Sequence, residues 1–498
     1  MSAAPGAEVS ADSGATRRLV AKNTIYLTFS QAVTVPLAVL VNAVTARYLG
    51  AEAFGYLYLA GTFAGFGYLA VSWGHEGVLP AMVAQDHSVA GNLLGSAFAW
   101  RAVASVVVYA VLAVICHVLG YGTEMQWALA LAFLAAVLTS CIAACKDTVR
   151  GFERADIPAY VHIGQQVLWA ALVVPVLLLG GRMRAVLWVG VVTVLLVLIG
   201  AVAALRAIGV GKLSVTRGAL KSLFLGGTPF VMFSVAMTLQ PLIDAAYLSK
   251  LGSVEAVGWF AVARRLIGLL LFPATALIGA LYPTLCRLWA EDREEYLKVA
   301  RGSLHSVALL VMPVALGCGL YPEIGVAIFS KKSFGPAADD LRVLSLFLFL
   351  VYFTMPIGTC VLAAGKQRAW SIVQSLCVAV SLVLDPFLTP WFQRRFQNGG
   401  LGPCAASVVS ELLVVSCGLW LMPRGVVDAR LRRTLFFALL AGGAMAVTAR
   451  LLHAVTPFVA APLALAAYVA GLWFTGELDP SHVAKIVGFF RRKFARGR

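Results

Sequence analysis

Fourteen stretches of apolar residues, each near the length of a bilayer crossing, dominate this chain. They fall at roughly 24–46, 54–73, 93–119, 125–145, 159–180, 185–206, 222–249, 256–282, 303–321, 341–364, 370–390, 402–421, 434–453 and 456–475. A helix needs about 20 apolar residues to cross a bilayer, so fourteen crossings would use ~280. The composition has room for them, with 60% of the 498 residues hydrophobic and 12% charged. An ordinary soluble domain carries about 45–50% apolar and about 25% charged residues. A soluble enzyme on a single anchor is therefore excluded. Backbone in hydrocarbon must bond to itself, and long continuous runs do that as helices. The expected fold class is an all-α polytopic membrane protein with fourteen transmembrane helices, joined by loops too short to hold a soluble domain.

The formal net charge is +16, from 39 Lys+Arg against 23 Asp+Glu. Its distribution matters more than its size. Assigned loop by loop, roughly 26 basic residues fall on the side of the two termini and about 10 on the other. The positive-inside rule then predicts both termini in the cytoplasm. The charge reads as topology and attraction to anionic lipid, and nucleic acid is not needed to explain it.

Residues 1–16 are small and polar and read as a disordered cytoplasmic tail, and 477–498 as a basic cytoplasmic tail. The first apolar run follows Arg17, Arg18 and Lys22 and is too long for a cleavable signal peptide. Nine cysteines lie mostly in apolar runs, so they read as packing residues and not as a disulfide framework. Cys141 and Cys145 are spaced for a metal pair, but no His or carboxylate joins them on that run. No metal or catalytic site is expected.

The most informative feature is an internal repeat. Leu49-Gly50-Ala51-Glu52-Ala53-Phe54-Gly55-Tyr56 follows the first run. Leu251-Gly252-Ser253-Val254-Glu255-Ala256-Val257-Gly258-Trp259 follows the seventh with one extra residue. From Glu52 onward the offset is 203 residues, which also carries Pro80 onto Pro283. Gly151-Phe152-Glu153-Arg154 and Gly365-Lys366-Gln367-Arg368 correspond after the fourth and tenth runs. Glycine permits the tight reversal, and Glu at a helix start suits the helix dipole. Matching motifs at matching places imply duplication of a six-helix unit, in parallel topology because six is even. The lobes predicted are 17–212 (spans 1–6) and 213–430 (spans 7–12), with two further spans in 431–476.

Two six-helix halves, two extra helices, and an N-terminal AKNTIYLTFSQ leading to ARYLGAEAFGYLYLA together resemble the multidrug/oligosaccharidyl-lipid/polysaccharide exporter superfamily. Within it the likeness is to the polysaccharide (O-antigen-type) flippase branch. The resemblance runs from about residue 17 to 475 and rests on structural motifs, which identify the superfamily better than its substrate. It implies a bacterial inner-membrane flippase that moves undecaprenyl-pyrophosphate-linked oligosaccharide by alternating access, with no enzymatic activity. Polysaccharide polymerase and glycosyltransferases are the expected partners, alongside membrane lipids. It implies no cofactor beyond H⁺ or Na⁺ coupling. The two extra helices either form a groove for a polyprenyl tail, as in the lipid II branch, or only support the bundle.

Within that frame, deep arginines are the candidate substrate ligands, because guanidinium stays charged and pairs bidentately with phosphate. Arg264 and Arg265 lie about eight residues inside the eighth span, ~12 Å along the helix. The repeat maps them onto Gly61 and Thr62, so the duplicated fold does not itself demand charge there. Adjacent residues diverge by about 100°, so only one of the two need face a central cavity. Arg101 lies comparably deep in the third span, and Arg47 closes the first. The alternatives are snorkelling and interfacial anchoring. Lys146 and Arg150 read as ordinary cytoplasmic charges. Asp244, aligned with Asn42, is the candidate for ion coupling, either cycling a proton or Na⁺ or forming a fixed bridge to an arginine of the eighth span. Asp385 and Glu411 are weaker candidates, and the scattered histidines read as satisfied or interfacial.

Pro36, Pro175, Pro229, Pro241, Pro273, Pro313 and Pro356 interrupt predicted spans, as either hinges or static kinks. Gly61 and Gly65 form one GxxxG, which fits close helix packing. Gly209-Val210-Gly211-Lys212 resembles a phosphate loop, but Arg206 and Leu213 occupy positions that need glycine and a hydroxyl, which excludes ATP binding. Three competing functions stay open: a lipid II flippase of shared architecture, a MATE-type drug antiporter, and a membrane glycosyltransferase or polymerase. Deep arginines and fourteen spans count against the second, and the lack of a large loop counts against the third.

Overall fold

The computed structural model describes residues 6–154, 156–329, 331–452 and 455–477. These residues form helices and turns with no strand among them. They divide into two compact units, Met1–Gly258 and Trp259–Arg498.

The N-terminal unit contains α1 (Gly6–Ser72), α2 (His75–Gln85), α3 (Ala90–Val118), α4 (Thr123–Gly151), α5 (Asp156–Leu178), α6 (Met183–Ala207) and α7 (Arg217–Leu251). Residues 1–5 of the expected tail lie outside the described residues, and α1 begins at Gly6. Helix α1 is broken at Gly50, whose φ of +79° is a conformation that L side chains rarely adopt. That break separates the expected first and second spans. Helix α4 lies at the centre of the unit, packed on α1, α2, α3 and α6. Gly67 of α1 makes room for this, since a Cβ there would lie 2.6 Å from the Phe133 ring.

Helix α7 packs on α1, α2 and α3. The compact unit runs to Gly258 and so includes α7. Its attachment is specific: a Cβ at Gly227 would lie 2.0 Å from the Trp73 carbonyl oxygen, and the Trp73 and Phe224 rings stack at 4.9 Å.

Helix α8 (Val254–Leu270) leads into the C-terminal unit. There follow α9 (Phe272–Glu291), α10 (Arg293–Leu320), the short α11 (Pro322–Phe329) and α12 (Lys331–Phe334), then α13 (Ala337–Ala363), α14 (Gln367–Phe396), α15 (Leu401–Leu421), α16 (Ala429–Leu451) and α17 (Pro457–Phe474). Helix α13 is the buried centre, packed on α9, α10 and α15. Helices α16 and α17 pack together and attach through α10, on a cluster that includes Met312, Ala441, Met445 and Tyr468. Most of the expected basic tail, residues 478–498, lies outside the described residues.

Eleven helical runs among the described residues are long and apolar enough to cross a membrane, where fourteen were expected. The first run, Phe29–Gln85, has 57 residues. As helix it would extend about 86 Å, enough for two crossings. The expected eighth span is divided between α8 and α9 at Leu271, two residues before Pro273. Proline has no N–H to continue the ladder. At this break the Leu270 carbonyl accepts a 2.5 Å hydrogen bond from the Tyr352 hydroxyl.

Both faces of these helices are apolar. On α3, Val103, Val107, Val114 and Val118 form one exposed stripe at helical spacing, the surface expected to face lipid. With lipid tails as apolar as the core, close packing of small residues and polar contacts must hold the helices together.

Candidate functional site

Arg264 stands in α8 among aromatic and polar side chains. Phe260 lies one turn earlier on the same helix, and Phe347 projects from α13. The guanidinium carbon is 5.1 Å from each ring centroid, within the range of a cation–π interaction. The Arg264 Nη2 donates to the Ser407 Oγ at 2.6 Å. That hydroxyl spends its own proton on the Pro403 carbonyl at 2.7 Å, so its oxygen is directed to the arginine.

Ser407 belongs to α15, whose polar face continues through Ser410 and Glu411 at helical spacing. Ser410 and Ser381 of α14 pair at 3.3 Å, and Glu411 is largely buried within electrostatic reach of Arg264. The α14–α15 pair can close because Gly402 lacks a side chain: a Cβ there would lie 2.6 Å from the Thr389 Cα. Sequence thus acts locally on the site, with glycine setting helix separation and i, i+3, i+4 spacing aiming the polar groups.

The neighbours give Arg264 a defined chemistry. Guanidinium does not deprotonate in proteins, and aromatic faces stabilise it without neutralising it. A half-buried cation held this way suits a bidentate anion such as a phosphate. Arg265 is also half-buried on α8.

Three other sequence candidates, Arg101, Arg47 and Asp244, belong to the N-terminal unit. Arg101 is 1% exposed inside the N-terminal unit. Its Nε donates to the Ser140 carbonyl, and its Nη1 to the Ala97 carbonyl and to the His75 Nδ1, each at 3.1 Å. Because arginine only donates, His75 accepts at Nδ1 and is a neutral imidazole with its proton on Nε2. Arg101 is thus turned into the protein, tying α3 to α2 and α4. Arg47 is exposed on α1, three residues before the break at Gly50. Asp244 is fully buried on α7.

Sequence reasoning missed Phe260, Phe347 and Ser407, and ranked Glu411 low. Phe260 carried a usable signal, standing four residues before Arg264 on one helix. Nothing in the sequence paired Arg101 with His75. Asp147 was also missed: it is buried and accepts from Arg150 Nη1 at 3.0 Å, so Arg150 is more than a loop charge.

A family model described as "Polysaccharide biosynthesis protein" matches residues 20–289, more than half of the chain. No curated relative matches the sequence. Among solved structures, a MATE family multidrug resistance transporter in an inward-facing conformation has a TM-score of 0.65 at 16% identity, over 83% of this chain and 98% of its own. The lipid II flippase MurJ in an inward closed conformation has a TM-score of 0.69 at 12% identity, over 90% of this chain and 98% of its own. A MOP superfamily transporter from Pyrococcus furiosus has a TM-score of 0.51 at 14% identity, over 84% of this chain and 96% of its own. At such identities the likeness is one of fold.

Proposed function

Because this chain belongs to the polysaccharide biosynthesis protein family, a branch of the superfamily of flippases and exporters, we propose that it flips a polyprenyl-pyrophosphate-linked oligosaccharide across the bacterial inner membrane. The chain is a multi-pass membrane transporter and not an enzyme. Transport proceeds by alternating access, with both termini in the cytoplasm as the basic-residue count requires. The product feeds synthesis of a cell-surface polysaccharide, with glycosyltransferases upstream and a polymerase downstream. Coupling to H⁺ or Na⁺ runs through Asp244.

The observation that carries this reading is Arg264, a cation on α8 held by Phe260 and by Phe347 and Ser407, which come from two helices long and apolar enough to cross a membrane. Arginine inside a bilayer costs at least ~2.5–3.5 kcal/mol on insertion scales, so its presence needs a compensating role. Its repeat counterpart is Gly61, so the duplicated fold does not itself demand charge there. Beside its ring, hydroxyl and Glu411 contacts, a pyrophosphate supplies such a role through several charge-assisted hydrogen bonds.

The test is glycan export in cells that depend on this transporter, with the amount of protein in the membrane measured alongside. Arg264→Ala and Arg264→Gln should lower export by about 10- to 100-fold, the worth of one charged hydrogen-bonding contact. Arg264→Lys should restore part of it, keeping the charge but losing the fork. Wild-type export by Arg264→Gln would exclude a pyrophosphate-binding role and return the drug-antiporter reading.

A further inference from the structure

A cavity of about 390 Å³ lies against the segment that connects α6 to α7, wholly within the N-terminal unit. Its walls include Leu94 of α3, Val202 and Leu205 of α6, and Leu213 of the connector. Arg206 and Lys212 complete it as cations. Gly209, with a φ of +84°, turns the chain after α6 so that Lys212 returns to the cavity that Arg206 lines.

The connector is held in place by α3. A Cβ at Gly91 would lie 2.7 Å from the Lys212 carbonyl oxygen, and one at Gly95 would lie 2.4 Å from that of Ser214. The Ser214 hydroxyl donates to the Asn92 Oδ1, and the Thr216 N–H donates to the Ser96 Oγ at 3.1 Å. Four small or polar positions of α3, Gly91, Asn92, Gly95 and Ser96, therefore anchor the wall that carries Lys212. The cavity is a built feature and not a gap under a loose loop.

We propose that this cavity is a binding site for an anionic phospholipid, with Arg206 and Lys212 on the headgroup phosphate and the leucines and Val202 along an acyl chain. Charge complementarity selects the occupant. From Arg206 to Ser222 the chain has four cations (Arg206, Lys212, Arg217, Lys221) and no carboxylate. A soluble phosphate would have no use for four apolar walls, and a neutral lipid none for two cations. Only an amphiphile uses both. Leu213, which lines the cavity, and Val215 of the same connector are 46% and 57% exposed, apolar surface suited to hydrocarbon. The charge count places this connector at the cytoplasmic leaflet, where anionic lipid sets a negative surface potential. The motif that resembles a phosphate loop thereby gains a reading: its glycines shape a turn, and its lysine meets a lipid phosphate.

The test uses the purified full-length protein in detergent, titrated with phosphatidylglycerol while thermal unfolding is followed. Phosphatidylglycerol should raise the unfolding temperature, whereas phosphatidylcholine and glycerol phosphate should not. The double variant Arg206→Gln/Lys212→Gln should need about tenfold more phosphatidylglycerol for the same shift. The control Arg217→Gln/Lys221→Gln, equal in charge change but outside the cavity, should respond like wild type. Equal losses in both double variants would reduce the effect to bulk electrostatics and overturn the site. A response to glycerol phosphate alone would make it a soluble-anion site instead. If the cavity variant does not fold, a photoreactive phosphatidylglycerol on the wild type decides: crosslinks should concentrate in residues 202–213, and their absence there sinks the proposal.

Discussion

Gly55 and Gly258, equivalent positions of the two repeats, form a reciprocal close contact. A Cβ at Gly55 would lie 2.2 Å from the Val254 carbonyl oxygen, and one at Gly258 would lie 2.2 Å from that of Ala51. All four residues belong to the N-terminal unit. The repeat was visible as a motif, and the structure gives the motif a purpose. Each copy supplies the glycine that lets the other copy's backbone approach, a relation that duplication can preserve because both sides descend from one sequence.

This contact predicts a contrast between glycines. Gly55→Ala or Gly258→Ala must push backbone aside, which costs about 1–3 kcal/mol as overpacking does. Gly61→Ala meets nothing within 4 Å and should be neutral or stabilising by about 0.5–1 kcal/mol through helix propensity. Thermal unfolding in detergent separates them. Equal unfolding temperatures for Gly55→Ala and Gly61→Ala would show that the helices are not this close.

The sequence made the helices legible because a bilayer leaves the backbone few options. Spans expected at roughly 125–145 and 402–421 appear as α4 and α15, a few residues longer or shifted. The break at Gly50 was likewise readable from a glycine between two apolar runs. The division of the eighth span at Leu271 was not, since Pro273 fits a hinge or a static kink within one span equally well. Orientation about the helix axis was the larger gap. Depth along the chain placed Arg101 and Arg264 alike, whereas the structure buries one against His75 and holds the other between Phe260 and Phe347. Those partners come from other helices, or from a rotation that hydropathy does not encode when both faces are apolar.

The loop between α15 and α16 carries a pH-dependent anchor. Burial alone would raise the pKa of Asp428, but the Leu431 N–H, His305 and Arg301 outweigh it and hold the carboxyl below its ordinary value. The Leu431 N–H lies at 2.7 Å and the His305 Nε2 at 3.4 Å. A carboxyl depressed in the folded state stabilises above its unfolded value, about 3.9 for Asp. That contribution is lost as pH falls through the lower folded value. Limited proteolysis of the loop should therefore accelerate on acidification in the wild type. In Asp428→Asn the rate should be higher at neutral pH and much less sensitive to acid. An identical acid response in both would assign it to another group.

Asp244 is fully buried on α7, where the repeat places Asn42 in the first half. If it couples transport to H⁺ or Na⁺, Asp244→Asn should leave the protein folded while removing the dependence of transport on the ion gradient. Transport measured in vesicles with and without an imposed gradient reads this directly. A gradient response that survives in Asp244→Asn would confine Asp244 to a structural role.

Arg101 provides the counter-experiment to Arg264. Its three hydrogen bonds reach protein groups, and it is 1% exposed, so its work is to hold α2, α3 and α4 together. Arg101→Met should destabilise by about 1–3 kcal/mol, because the His75 Nδ1 and the Ser140 carbonyl each lose a donor in a buried site. Lysine should rescue little, since one ammonium cannot reproduce the fork between them. Removing both partners is less harmful than removing one. Arg101→Met/His75→Leu should therefore regain part of the lost unfolding temperature. Export per folded molecule should then stay within about twofold of wild type, too small a change for the loss of a charged substrate contact. Arg264→Gln should do the reverse, leaving stability nearly intact and export low. If the stable Arg101→Met/His75→Leu protein fails to export, Arg101 contacts the substrate in another conformation, and the packing role argued from its burial is wrong.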